Sequence, residues 1–440
     1  MMGITILTGT VLLKLPAAHE GAPIGWLDAL FTATSAVCVT GLVVVDTGSH
    51  FSFFGELVIL ILIQIGGLGV MTIGTTILLA LGQSPTAIVR HLLTGMAGHK
   101  ELIRPRDILL MVFLATFIAE AIGAVLLFFP FSRTHPAQEA AWLAIFHSVS
   151  AFCNAGFSLW PDSLTRFAGD PFVNVIVMAL IILGGLGFVV LVEVKTWIAT
   201  RLRQTGNGAR LSLHSKIVLT GSALAIVLGA VLIGVLESTN IMANRPWSER
   251  LFIAIFQSVT ARTAGFNTVD IGALSNPTLL VLLALMFIGG GSGSMAGGIK
   301  LTTASTVTIL VLQRLRGSRE IHIFGRAIGQ ATIQRSVTLA VLASVLIAST
   351  VCFIEIVRRS GPPTLADRGD FLAVLFEVVS GFGTVGLSMG ITAALEPLAK
   401  AAVIFLMFTG RVGPLLLMDF FARLPPPPPL RHAKEELMIG

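Results

Sequence analysis

The apolar positions of this chain fall in long uninterrupted stretches. Seven of them, at about 52–81, 107–130, 171–199, 213–236, 276–313, 333–357 and 395–424, reach the length a membrane-crossing helix needs, roughly 20 residues. An eighth, at 1–15, is shorter. Between these stretches lie four apolar runs of about 10–13 residues. Runs of that length are too short to cross and are read as re-entrant segments. The pattern predicts an all-α membrane protein.

The four short runs are copies of one another. They contain Ala29-Leu30-Phe31, Ala144-Ile145-Phe146, Ala254-Ile255-Phe256 and Val374-Leu375-Phe376. His147-Ser148-Val149-Ser150 and Gln257-Ser258-Val259-Thr260 extend the similarity. Each run leads into a small-residue motif: Cys38-Val39-Thr40-Gly41-Leu42, Cys153-Asn154-Ala155-Gly156-Phe157, Arg262-Thr263-Ala264-Gly265-Phe266 and Gly383-Thr384-Val385-Gly386-Leu387. From each Phe to the motif glycine is 10, 10, 9 and 10 residues, so the third copy is one residue short. The repeating plan is a span (M1), a pore loop (P) and a second span (M2), at 1–81, 106–200, 213–314 and 330–424, with a tail at 425–440. Each repeat crosses twice and returns to its starting side. All four then share one orientation, which predicts a pseudo-fourfold ring around one pore. Inverted repeats would need an odd number of crossings.

Composition agrees. Of 440 residues, 54% are hydrophobic and 12% charged, against about 25% charged in soluble domains. Segments 82–107, 195–216, 313–336 and 423–434 hold 17 Lys and Arg, whereas the loops of the opposite face hold 8. The positive-inside rule places the first set, with both termini, in the cytoplasm. The net charge of +6 thus follows topology and points to no nucleic acid. The first residues lack the basic and small-residue features of a cleavable signal. The three cysteines suggest neither disulfide nor metal site, and no nucleophilic constellation marks an enzyme. Asp28, Glu139, Glu249 and Asp370 stand near the starts of the short helices, where negative charge is favoured. Those helices would point their partly negative ends inward, toward a cation.

An ion crossing hydrocarbon needs substitutes for its water, and rings of backbone carbonyls supply them. Four converging backbones leave no room for bulk and need unusual dihedrals, which explains Gly41, Gly156, Gly265 and Gly386. The expected filter comprises Val39, Thr40 and Gly41; Asn154, Ala155 and Gly156; Thr263, Ala264 and Gly265; and Thr384, Val385 and Gly386. Asp46, Asp162 and Asp270 follow three of the motifs, as cation-attracting groups or as ordinary loop acids. Gly66-Gly67-Leu68-Gly69 and Gly184-Gly185-Leu186-Gly187 read as close-packing surfaces. In the third repeat the second span is interrupted by Gly289, Gly290, Gly291, Ser292, Gly293, Ser294, Met295, Ala296, Gly297, Gly298, Ile299 and Lys300. Six glycines in twelve residues disfavour helix, and irregular backbone at membrane depth belongs beside protein or water. The segment is a movable barrier under the pore or a static break. Arg262 and Arg411 sit at intramembrane positions, where ionisable residues are functional candidates. Arg262 would brace the filter and Arg411 would meet the glycine loop; structural ion pairs are the alternative for both.

Phe-Gln-Ser-Val-Thr-Ala-Arg-Thr-Ala-Gly-Phe-Asn (256–267), Ala-Gly-Gly-Ile-Lys (296–300) and Gly-Arg-Val-Gly-Pro (410–414), set in the fourfold plan, resemble the Trk/Ktr/HKT superfamily of K+ transporters. Within it the tail, Glu435-Glu436-Leu437-Met438-Ile439-Gly440, looks like the end of the Ktr-type membrane subunit. The resemblance covers nearly the whole chain. It implies K+ uptake across the bacterial plasma membrane, K+ coordination by backbone around the four glycines, and gating by 289–300 with Arg411. It also implies a homodimer in membrane lipid, a cytosolic ring of RCK-type subunits that carry the nucleotide, and stimulation by Na+. No cofactor is expected in this chain. One departure is Met295, where the family more often has a smaller residue, beside a missing proline. A secondary transporter for a small organic solute, using broken helices, is the competing reading; the inverted repeats and buried polar side chains it requires are not evident. A membrane scaffold would not need four matched glycine motifs.

Overall fold

The computed structural model describes residues 2–80, 105–202, 210–318, 320–358 and 365–412. The proline-rich tail, the stretch 413–424 and most of the basic segment 82–107 lie outside the described residues.

The chain folds as four M1–P–M2 units. The first contains α1 (Met2–Lys14), the pore helix α2 (Trp26–Cys38) and α3 (Phe53–Ala80). The second contains α4 (Pro105–Phe131), the pore helix α5 (Ala137–Phe152), and the pair α6 (Pro171–Leu186) and α7 (Phe188–Leu202). The third contains α8 (Leu213–Leu236), the pore helix α9 (Trp247–Thr260), and the pair α10 (Asn276–Phe287) and α11 (Leu301–Leu315). A two-residue-per-strand hairpin pairs His322–Ile323 with Arg326–Ala327 before the fourth unit. That unit contains α12 (Gln330–Arg358), the pore helix α13 (Leu365–Gly383) and α14 (Pro397–Val412).

The ring closes through one repeated contact. The second span of each unit packs on the pore helix of the next: α3 on α5, α6 on α9, α10 on α13, and α14 back on α2. The pore helices occupy the middle. Phe31, Phe146, Phe256 and Phe376 are all fully buried there, which is why the chain repeats that residue at one offset. Apolar side chains of the first spans face outward instead, with Val125 61% and Val231 58% exposed. This inversion of a soluble protein's pattern suits a lipid surround. Small residues let first spans approach pore helices. A Cβ at Gly123 would lie 2.4 Å from Ser148 Oγ, and one at Gly229 would lie 2.3 Å from Ser258 Oγ. Those two hydroxyls donate to carbonyls at equivalent heights, Glu120 and Ile226, at 2.7 and 2.8 Å.

Among the described residues, three helices are long and apolar enough to cross a membrane alone: Leu110–Phe131, Leu213–Leu236 and Gln330–Arg358. The expected continuous span at 171–199 is instead two helices bent by 103° at Gly187, which has φ 90° and ψ 147°. The break leaves the carbonyls of Gly184 and Gly185 without helical donors, and the glycine loop supplies them. Met295 N donates to Gly184 O at 3.1 Å, and Gly291 N to Gly185 O at 2.9 Å.

Candidate ion-conduction site

The pore helices deliver the four glycine motifs to one place. A Cβ built on Gly41 would lie 2.4 Å from Ala155 O, on Gly156 2.7 Å from Ala264 O, on Gly265 2.5 Å from Val385 O, and on Gly386 2.2 Å from Thr40 O. Each glycine therefore backs onto the carbonyl preceding the glycine of the next unit, and the fourth returns to the first. Any larger residue would collide with backbone at all four positions.

The backbone within the motifs also repeats. Val39, Asn154, Thr263 and Thr384 have φ of 54°, 57°, 71° and 47°, although none is glycine. The intervening Thr40, Ala155, Ala264 and Val385 have no positive φ, and the glycines return to 90°, 70°, 80° and 93°. Four non-glycine residues held in the left-handed region, each at a cost of order 1–3 kcal/mol, need surroundings that over-determine them. The hydroxyls of Thr40, Thr263 and Thr384 are buried with no protein hydrogen-bond partner.

The shortened third copy has a local explanation. The N–H groups of Thr40, Ala155 and Val385 donate to carbonyls five residues back, those of Ser35, Ser150 and Ser380, at 2.8, 2.7 and 2.9 Å. Ala264 N donates four residues back, to Thr260 O, at 2.9 Å. The missing residue comes out of the turn leaving the helix, so Gly265 keeps its place in the ring.

The sequence reading overlooked a supporting hydroxyl four residues after each buried Phe. Ser35 Oγ and Ser380 Oγ each accept from the motif glycine N–H at 3.1 Å. Ser150 Oγ and Thr260 Oγ1 donate to the carbonyls of Phe157 and Phe266, at 2.8 and 2.6 Å. The signal was available: Ser, Ser, Thr and Ser stand at one offset.

Below the ring, Gly66, Gly184 and Gly410 let second spans touch the ends of pore helices. A Cβ at any of them would lie 1.9 Å from the carbonyl oxygen of Val37, Phe152 or Phe382. Gly67 and Gly185 follow in the first two units, and Arg411 follows in the fourth. Fully enclosed, Arg411 donates from Nη1 to Met295 O and from Nη2 to Gly66 O at 3.2 Å. The glycine loop thus meets Arg411 through its central carbonyl. Lys300 Nζ donates to Ala296 O, and Ser292 Oγ lies 3.0 Å from Thr302 Oγ1. The loop is fixed at its ends by Gly289 N to Ile299 O (2.8 Å) and Leu301 N to Gly290 O (2.9 Å). It abuts the fourth motif, where a Cβ at Gly297 would fall 2.0 Å from Thr384 Oγ1. Met295 is buried, its Sδ 3.2 Å from a Cβ position at Gly67. Gly293 and Gly298 have positive φ, and Ser294 Oγ accepts from Ala296 N at 3.2 Å.

Arg262 lies elsewhere than at the ring. Its guanidinium donates to Ser222 Oγ at 3.1 Å and reaches Ser222 O and Gly289 O at 3.5 Å, so it braces the start of the loop. Neither arginine has an ion pair among the described residues. At the outer surface Asp46, Asp162 and Asp270 each cap a local turn, through Ser49 N, Thr165 Oγ1 and Gly272 N. Asp28 pairs with Lys400 at 2.8 Å, and Glu249 with Arg245. Asp370 is the sixth residue of α13 rather than in its first turn, and pairs with Arg358 at 2.9 Å.

Comparison with known proteins matches this geometry. The profile of the TrkH family, described as a cation transport protein, matches residues 4–428. The chain is 39% identical over 422 residues to the Ktr system potassium uptake protein B of Bacillus subtilis (strain 168), covering 96% of this chain and 91% of that protein. It is 36% identical over 438 residues to the Ktr system potassium uptake protein B of Vibrio alginolyticus, covering 99% and 92%. The crystal structure of the potassium transporter TrkH from Vibrio parahaemolyticus shares the fold, with a TM-score of 0.72, 18% identity, and coverage of 95% of this chain and 84% of that one. The chain belongs to the TrkH family of cation transport proteins.

Proposed function

We propose that this chain is the ion-translocating subunit of a Ktr-type K+ uptake system in the bacterial plasma membrane. The observation that carries the reading is the closed ring in which each motif glycine backs onto the next unit's carbonyl. Carbonyl rings of this kind replace the hydration shell of an alkali ion. The unpartnered hydroxyls of Thr40, Thr263 and Thr384 add oxygen ligands near the same path. Pore-helix ends directed at the ring contribute negative potential. The names of the curated relatives, potassium uptake proteins, select K+ among the alkali ions.

Segment 289–300 with Arg411 is the gate. It lies against the inner side of the ring, and Arg411 adds a positive charge that opposes cation passage. Relatives named for a Ktr system support a partner subunit; we infer that the chain works as a homodimer with a cytosolic RCK-type ring that binds nucleotide. Both termini are cytoplasmic, and Na+ stimulates transport. The test is uptake of radioactive rubidium into proteoliposomes of the purified protein. Competition by K+ and little competition by Na+ or organic solutes is expected; displacement of rubidium flux by an organic solute would overturn the reading.

A further inference from the structure

Behind the ring a second set of side chains follows the same internal symmetry. The residue after each buried Phe is Thr32, His147, Gln257 or Glu377, and all four are buried. Eleven residues later stand Val43, Ser158, Thr268 and Ser388. In three units these two positions are joined across the back of the filter strand. His147 Nε2 lies 3.1 Å from Ser158 Oγ, Gln257 Nε2 donates to Thr268 Oγ1 at 3.3 Å, and Ser388 Oγ donates to Glu377 Oε2 at 2.8 Å. The third unit keeps the eleven-residue separation although its Phe-to-Gly spacing is one residue shorter; the residue lost before Gly265 is regained after it. What these units hold constant is the strap, not the length of the turn.

The straps are chemically definite. His147 Nδ1 faces Leu143 O at 2.8 Å, an acceptor only, so it carries the proton. Its Nε2 then accepts from Leu159 N at 3.4 Å and from Ser158 Oγ. Glu377 accepts from Thr392 Oγ1 as well as from Ser388, and Ser388 Oγ accepts from Gly390 N at 3.0 Å. In the first unit Thr32 Oγ1 turns back to Asp28 O at 2.9 Å, and the Val43 side chain offers no polar atom.

We propose that the three straps fix the radius of the carbonyl ring, and that Glu377 is the positioning residue that makes the fourth strand reject the smaller Na+. Each strap clamps the strand that carries the left-handed residues to the pore helix behind it. A ring kept from contracting leaves a smaller ion under-coordinated. The unstrapped first strand is the compliant quarter. This inference rests on the K+ reading above.

The experiment is rubidium uptake by the full-length protein in proteoliposomes, with K+ and Na+ as competitors. Glu377→Leu removes both acceptors and takes the carboxylate from Ser388 and from the buried Thr392, so K+ over Na+ preference should fall by about tenfold. The fall should appear mainly in the KM for K+ rather than in the maximal rate. Glu377→Gln, which reproduces the residue of the third unit, should restore most of the preference. Thr32→Gln with Val43→Thr installs the missing strap and should sharpen selectivity. A Glu377→Leu protein that folds, transports and competes like the parent overturns the proposal, as does a Gln variant no better than Leu. If Glu377→Leu does not fold, an unchanged preference in the Thr32→Gln/Val43→Thr protein overturns it instead. Gly41→Ser separates the two levels: if it leaves selectivity intact the filter reading itself fails, whereas if it relaxes selectivity and the strap variants do not, only the straps are refuted.

Discussion

Arg411 donates a charge-assisted hydrogen bond to the carbonyl oxygen of Met295, joining the last span of the fourth unit to the loop of the third. Its second donor reaches Gly66 O in the first unit, so one side chain bridges three of the four units. Hydrogen bonds to charged groups contribute about 1.5–3 kcal/mol. Arg411→Met should therefore shift the loop toward displacement and raise basal K+ flux by about tenfold or more in the absence of a regulatory partner. Deletion of 291–296 should act in the same direction. Both are read by rubidium efflux from proteoliposomes; folded variants slower than the parent would mean that the loop organises conduction rather than blocking it.

The ring glycines admit no side chain. Gly386→Ala sets a Cβ 2.2 Å from Thr40 O, and Gly41→Ser sets one 2.4 Å from Ala155 O, both against backbone. Since backbone cannot rotate aside, the ring must widen. Weakened preference for K+ over Na+ is expected in competition assays, with a larger effect for Gly386→Ala, whose clash is the closer.

Gly187 holds the corner between α6 and α7 at φ 90° and ψ 147°, a region that is essentially glycine's own. Gly187→Ala should destabilise the bent pair by about 1–3 kcal/mol. Its Cβ would also lie 3.0 Å from Ser292 O in the loop. A lowered thermal midpoint in detergent, accompanied by altered basal flux, is the expected signature; lost stability with unaltered flux would show that the corner does not communicate with the loop.

Glu237 staples the outer end of α8 to the start of α10. It accepts from Ser275 N at 2.9 Å, from Ser275 Oγ at 2.7 Å, and from Asn240 Nδ2 at 2.8 Å. Burial works to raise its pKa, but hydrogen bonds from Thr278, Ser275 and Asn240 outweigh burial and hold the carboxyl below the usual glutamate value. A depressed pKa adds stability that is present above the unfolded-state value and lost as pH falls through the folded-state value. Glu237→Gln should thus lower the thermal midpoint at neutral pH. The gap from the parent should narrow as pH drops below about 4.5. A gap that stays constant across that range would assign the loss to geometry alone.

The fourfold plan was legible because Phe31, Phe146, Phe256 and Phe376 mark equivalent buried positions at nearly constant distance from a glycine that no other residue can replace. The bend at Gly187 was not. Gly66-Gly67-Leu68-Gly69 and Gly184-Gly185-Leu186-Gly187 are near-copies, yet the first stays within the continuous helix α3 while the second ends α6. The difference is non-local: loop donors from Gly291 and Met295 satisfy the carbonyls of Gly185 and Gly184. The reach of Arg262 is non-local in the same way. Its chain position lies beside the filter, but its long side chain reaches Ser222 and Gly289.

The corner at Gly187 has a mechanical consequence. With 15 residues, α7 is a rigid arm about 22 Å long, pivoted where Gly187 meets Ser292 and Gly293. A tilt of about 10° moves its far end by roughly 4 Å, while the pivot itself barely shifts. A displacement applied near Arg201 would therefore reach the corner as a rotation rather than a translation. The broken helix thus places a long arm and the loop under the four glycines at one hinge.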